Sequence, residues 1–143
     1  MSVALRRADP SEAAWVNETY EKYEFVPSDL EMEKVIVAEV AGVPAAFGRL
    51  VPVGDGAYEL GGMVVFEAFR GTGLAKTMVK HLVALAGGSP LYCVPFIPIA
   101  SLYRNLGFTD CPVSGDLPKK LLEKYEYCLR RYPQSVLLFR YSL

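Results

Sequence analysis

Arg70-Gly71-Thr72-Gly73-Leu74-Ala75 is the stretch whose reading decides the fold. It follows Met63-Val64-Val65-Phe66, an apolar run that reads as a buried strand, and it opens a helical pattern that ends at Gly87-Gly88. Glycines at a strand-to-helix turn let successive backbone N–H groups converge on one small volume. The helix N-terminus adds partial positive charge there. The expectation is a phosphate-binding turn on an α/β scaffold.

Outward from this turn the chain alternates strands and helices. The helix from Thr72 carries Leu74, Met78, Leu82 and Leu85 at spacings of three and four, and Pro90 keeps it ended. The strand before it, Ala57 to Phe66, contains Gly61-Gly62, which marks a bulge or a close approach to the backbone. Lys34–Val40 and Pro44–Val53 read as two further strands of a meander, turning at Ala41-Gly42 and Gly54-Asp55-Gly56. Val3–Arg7 is a first strand. Asp9 then suits a helix N-cap, Pro10 the first helical position, and Glu12 the return arm of a capping box. That helix runs to about Tyr23, with Ala14, Trp15, Tyr20 and Tyr23 available for burial. Beyond Pro90 come a short strand Leu91–Val94, a helix from Ile99 to Leu106, a strand Phe108–Pro112, a helix Pro118–Tyr132 and a closing strand Val136–Tyr141. In the Pro118–Tyr132 helix, Leu121, Leu122, Tyr125, Cys128 and Leu129 share one side. This order implies a mixed α/β sheet with helices on both faces, and residues 1–143 read as a single domain.

Composition narrows the function. Of 143 residues, 52% are hydrophobic and 22% charged, as in a globular protein. A net charge of −1 argues against a nucleic-acid partner. No apolar run approaches a membrane span, and the N-terminus lacks a signal-peptide stretch. Cys93, Cys111 and Cys128 are odd in number and widely spaced, which argues for a reduced, cytoplasmic protein without disulfides or a metal site.

Two motifs carry a resemblance to a known family. Arg70, Gly73 and Ala75 fit the Q/R-x-x-G-x-G/A core of the GNAT N-acetyltransferase family, and Leu102-Tyr103 with Gly107-Phe108 resembles its second signature, L-Y-x-x-x-G-F. The two stand about thirty residues apart in the family's order, and the element order matches over almost the whole chain. The family usually has Pro where Glu67 stands and often Asn where Ile97 stands.

The resemblance implies a mostly antiparallel sheet that splays between its fourth and fifth strands, Ala57–Phe66 and Leu91–Val94, with acetyl-CoA in the gap. It implies a direct, ternary-complex transfer of acetyl to a primary amine, with no metal. Arg70, Gly71, Thr72, Gly73, Leu74 and Ala75 would then form the cofactor-binding turn, with the amides from Gly71 to Ala75 wrapping the diphosphate. Met63, Val64 and Val65 would line the pantetheine arm, and the Met63 N–H is a candidate oxyanion donor. Tyr103 holds the family's place for the acid that protonates the leaving thiolate. Glu59 lies eleven residues before Arg70, where several members carry a general base; the bland alternative is an outward-facing strand carboxylate.

Other residues point elsewhere or nowhere. His81, the only histidine, sits mid-helix and reads as a surface or packing residue, and Cys93 reads as a small core residue. Glu18, Glu21, Glu24, Asp29, Glu31 and Glu33 make the segment around the first helix acidic, which would favour a cationic amine if it rims the acceptor site. Acceptors from polyamines to peptide N-termini stay open, and the resemblance allows a homodimer through the last strand. A P-loop fails because Arg70 and Ala75 stand where its glycines belong. A non-catalytic acyl-CoA-binding sensor on the same fold is the alternative.

Overall fold

Strand pairing in the computed structural model, which describes residues 2–142, joins seven strands into one sheet. The strands are β1 (Val3–Arg7), β2 (Lys34–Val40), β3 (Val43–Gly54), β4 (Ala57–Val65), β5 (Leu91–Cys93), β6 (Phe108–Asp110) and β7 (Phe139–Tyr141). The helices are α1 (Ala13–Lys22), α2 (Leu74–Ala86), α3 (Ala100–Arg104) and α4 (Lys119–Arg131). The order across the sheet is β1-β2-β3-β4-β5-β7-β6, and only β4 and β5 run parallel. The expected mixed α/β class is therefore the observed one. Helices α2 and α3 cover one face through Leu74, Met78, Leu82 and Tyr103, while α1 and α4 cover the other through Val16, Tyr20 and Leu121.

Local chemistry explains most boundaries. The Asp9 carboxylate accepts from the Ser11 N–H at 2.9 Å, and Glu12 Oε1 accepts from the Asp9 N–H at 2.9 Å, completing the capping box. It starts a 3₁₀ turn, Pro10–Glu12, that leads into α1. Several expected core positions differ. Leu85 and Leu129 are 36% and 47% exposed, and Ala14 faces outward. Val79 and Ala86 take the buried stripe of α2 instead, and Val16 takes that of α1. The closing strand is also shorter than its apolar run, because Val136 makes only an isolated bridge to Phe96.

The feature that positions the site is in β4. Phe47 pairs with Val64 and Arg49 with Gly61, so Gly62 and Met63 together oppose the single residue Gly48. This is a β-bulge, with Gly62 at φ +57°, a backbone conformation suited to glycine. The Tyr20 hydroxyl donates to the Gly62 carbonyl at 2.9 Å and holds the bulge from the α1 side. Parallel pairing to β5 ends at Leu60 and Cys93, so β4 continues to Val65 without a partner on that edge. The sheet is splayed there, as the resemblance implies.

Candidate active site

The splay opens onto a cleft of about 540 Å³. Of the nine residues expected to hold a cofactor, all but Thr72 line it: Met63, Val64, Val65, Arg70, Gly71, Gly73, Leu74 and Ala75. The Thr72 hydroxyl instead donates to the Phe69 carbonyl at 2.6 Å and closes the turn. At the head of the cleft α2 begins without a side-chain cap, and Gly73 stands at φ +80°. Among the described residues, the N–H groups from Gly71 to Lys76 have no protein acceptor; the first is Thr77, donating to the Gly73 carbonyl at 3.2 Å. Six backbone donors beginning at Gly71 thus meet the positive end of a 13-residue helix. A Cβ on Gly71 or Gly73 would meet nothing within 4 Å, so glycine serves the left-handed backbone and the cleft, not internal packing.

Along the cleft the edge of β4 is open. The Phe66 N–H donates to the Ala45 carbonyl at 3.0 Å, so alternation turns the backbone groups of Val65 and Met63 away from β3. The Val65 carbonyl accepts from Arg70 Nε at 3.1 Å. Tyr23, Phe25 and Leu102 complete the apolar walls.

Beyond Met63 the splay narrows to a cavity of about 50 Å³, lined by Gly61, Gly62, Cys93 and Tyr103 among others. Tyr103 lies on α3, is 4% exposed, and sets its ring edge-on to Phe108 at 5.7 Å. Burial pushes its phenol far above the ordinary tyrosine value, with Cys93 and Glu59 adding to the effect. The phenol therefore keeps its proton. Burial raises the Cys93 thiol too.

Glu59 lies across the Gly61-Gly62 segment from Tyr103. It lines a second cavity of about 50 Å³ that shares Gly61, Gly62, Val94 and Phe96 with the first. The carboxylate is 3% exposed, so the outward-facing alternative is excluded. It is paired, however: Lys124 Nζ of α4 donates to Glu59 Oε1 at 3.2 Å. Arg49 of β3 is also 3% exposed on this side and was missed by sequence reasoning. A charge inside the apolar run Ala45-Ala46-Phe47-Gly48-Arg49-Leu50-Val51 was the available signal. Lys124, on an amphipathic helix with many lysines, offered none.

The acidic segment is not left unbalanced. Glu21 and Glu24 face Lys120, Arg130 and Arg131 of α4 across a broad groove, with Arg131 Nη2 3.9 Å from Glu24 Oε1. Glu21 and Glu24 of the expected acidic rim, together with Glu123 and Glu126 of α4, are thus balanced by Lys120, Lys124, Arg130 and Arg131 around that groove. His81 is half-buried on α2 and lines none of these cavities. Among the described residues no helix is long and apolar enough to cross a membrane, and no cluster of three or more His, Cys, Asp or Glu is placed to hold a metal.

Comparison with known proteins agrees with this geometry. Residues 31–110 match the model of the acetyltransferase (GNAT) domain. No curated protein matches in sequence. Among solved structures, Rv2747 from Mycobacterium tuberculosis in complex with CoA is 17% identical, covers 98% of this chain and 99% of its own, and superposes with a TM-score of 0.75. An IAA acetyltransferase from Bacillus cereus is 19% identical over 99% of this chain and 100% of its own, at 0.67. N-acetylglutamate synthase from Neisseria gonorrhoeae, complexed with coenzyme A and N-acetyl-glutamate, is 14% identical over 100% of this chain but 36% of its own, at 0.73. These likenesses establish the shared fold, and the domain match over more than half of the sequence establishes that the chain belongs to the GNAT acetyltransferase family.

Proposed function

We propose that the protein transfers an acetyl group from acetyl-CoA to a primary amine, with both substrates bound at once. The observation that carries this reading is one continuous path: acceptor-free amides at Gly71–Ala75, the open edge of β4 at Met63–Val65, and a protonated, buried Tyr103 at its end. Those residues fit a nucleotide thioester. The amides would take a diphosphate, and a chain of amides would pair with the strand edge once Arg70 releases or shares the Val65 carbonyl. Family membership supports the reaction class.

The chemistry assigns each group a task. The amine nitrogen bonds to the acetyl carbon as the carbon–sulfur bond breaks. The Met63 N–H faces the negative charge that develops on the acetyl oxygen. Tyr103 gives its proton to sulfur; burial holds that proton in place, and the same burial makes the departing thiolate more basic. Of the two protons the ammonium loses, one goes to Glu59, and the other returns through solvent to Tyr103. Glu59 can act only when Lys124 moves off its carboxylate. That ion pair is the one observation favouring a non-catalytic sensor.

Thiol release from acetyl-CoA with a panel of primary amines separates the readings. Turnover with any amine supports the enzyme. CoA binding without turnover across the panel supports the sensor, and absence of CoA binding refutes both.

A further inference from the structure

Resting on that acetyl-transfer reading, we infer that the acceptor is an amino-acid-type zwitterion, with its carboxylate held by Arg49 and Lys124 and its amine presented to Glu59. The first observation is an incompletely bonded buried guanidinium. Arg49 Nη1 donates to the Val26 carbonyl at 2.8 Å and to Ser28 Oγ at 2.6 Å. Its Nε is buried without a partner among the described residues; Glu33 Oε1, likewise buried and without a hydrogen-bond partner, lies 4.0 Å from Nη1. Nε lies beside Gly62, since a Cβ built there would come within 2.7 Å of it. Arg49 and Gly62 line the cavity that contains Glu59, across the bulge from Tyr103. A buried cation short of acceptors is costly, and an incoming anion would complete it.

The second observation is the charge of the adjoining cavity, about 160 Å³, whose charged lining is Arg49, Lys120 and Lys124 against Glu33 and Glu59. Three cations face two carboxylates, so an added cation is disfavoured and an added carboxylate is matched. The third is the Glu59–Lys124 pair itself. A neutral-tailed amine that takes Glu59 leaves Lys124, a half-buried cation, without its carboxylate partner. A zwitterion exchanges one pair for two: its ammonium meets Glu59 and its carboxylate meets Lys124 and Arg49. Glu59, Lys124 and Arg49 then each face an opposite charge, and Glu59 is released from Lys124 to accept a proton.

The test measures thiol release from acetyl-CoA with matched sets: L-amino acids, their α-carboxamides, and the corresponding amines lacking the carboxyl group. The expected result is a kcat/KM at least about tenfold higher for the amino acid than for either partner. Equal or better turnover of the amides or simple amines overturns this inference while leaving acetyl transfer intact. No turnover of any member, with CoA still bound, overturns both. In Lys124→Met, KM for the amino acid should rise about ten- to a hundredfold while KM for its carboxamide does not rise, and Lys124→Arg should restore the preference. Equal losses on acid and amide would show a structural role only and overturn the assignment.

Discussion

Replacing Gly62 with alanine tests the bulge that opens the sheet. At φ +57° an alanine sits in the left-handed region at a cost of about 1–2 kcal/mol. Its Cβ would come within 2.7 Å of both Arg49 Nε and the Tyr20 hydroxyl. Neither is free to retreat: Arg49 is tied to Val26 and Ser28, and Tyr20 is fully buried beneath the guanidinium, whose carbon lies 4.5 Å from its ring centroid. Displacing them costs about 1–3 kcal/mol, and the stiffer unfolded chain offsets a fraction of a kcal/mol, for a net loss of about 3 kcal/mol. For a chain of 143 residues this lowers Tm by about 10 °C. Thermal and denaturant unfolding would measure it, and acetyl-CoA turnover should fall with it because the Met63 N–H is repositioned. Tyr20→Phe removes one of the two clashing atoms, so the double variant should be about 1 kcal/mol more stable than the sum of the single changes implies. A Gly62→Ala protein within 0.5 kcal/mol of wild type, or strict additivity with Tyr20→Phe, would refute the reasoning.

Two further predictions concern the phosphate turn and the first helix. Gly73→Val should weaken CoA binding by about a hundredfold or more in calorimetry, while costing only the left-handed strain of about 1–2 kcal/mol, because no protein atom lies near its new Cβ; unchanged CoA affinity would refute the placement of the diphosphate. Glu12 is held below its ordinary carboxyl value of 4.5 by Arg6 and then by the Asp9 N–H, so its contribution to stability is present above that value and is lost as pH falls through the lower folded-state one. Glu12→Gln should therefore flatten the acid side of the stability–pH curve below about pH 4.5, and an unaltered slope in denaturant titrations would show that the capping box carries no such linkage.

Much of this was legible in the sequence because it is local. The capping box at Asp9 and Glu12, the glycine start of α2, and the Gly61-Gly62 bulge all follow from the backbone needs of a few adjacent residues. Tyr103 was legible only through its motif position, since its burial depends on packing against Phe108 and the splay. What stayed hidden is long-range. Insertion of β7 between β5 and β6 is a pairing choice that periodicity does not encode. Lys124 meets Glu59 across 65 positions of sequence, and nothing near either residue announces it. The acidic segment looked like a cation site because its counter-charges lie on α4, far along the chain.

The central claim is that the phenol on α3 serves the sulfur of a thioester held at the splay. Parallel measurement of kcat and CoA affinity in Tyr103→Phe tests it most directly. The account predicts a fall in kcat of about 10²- to 10⁴-fold with CoA affinity unchanged. An unchanged kcat, or an equal loss in both quantities, would contradict it.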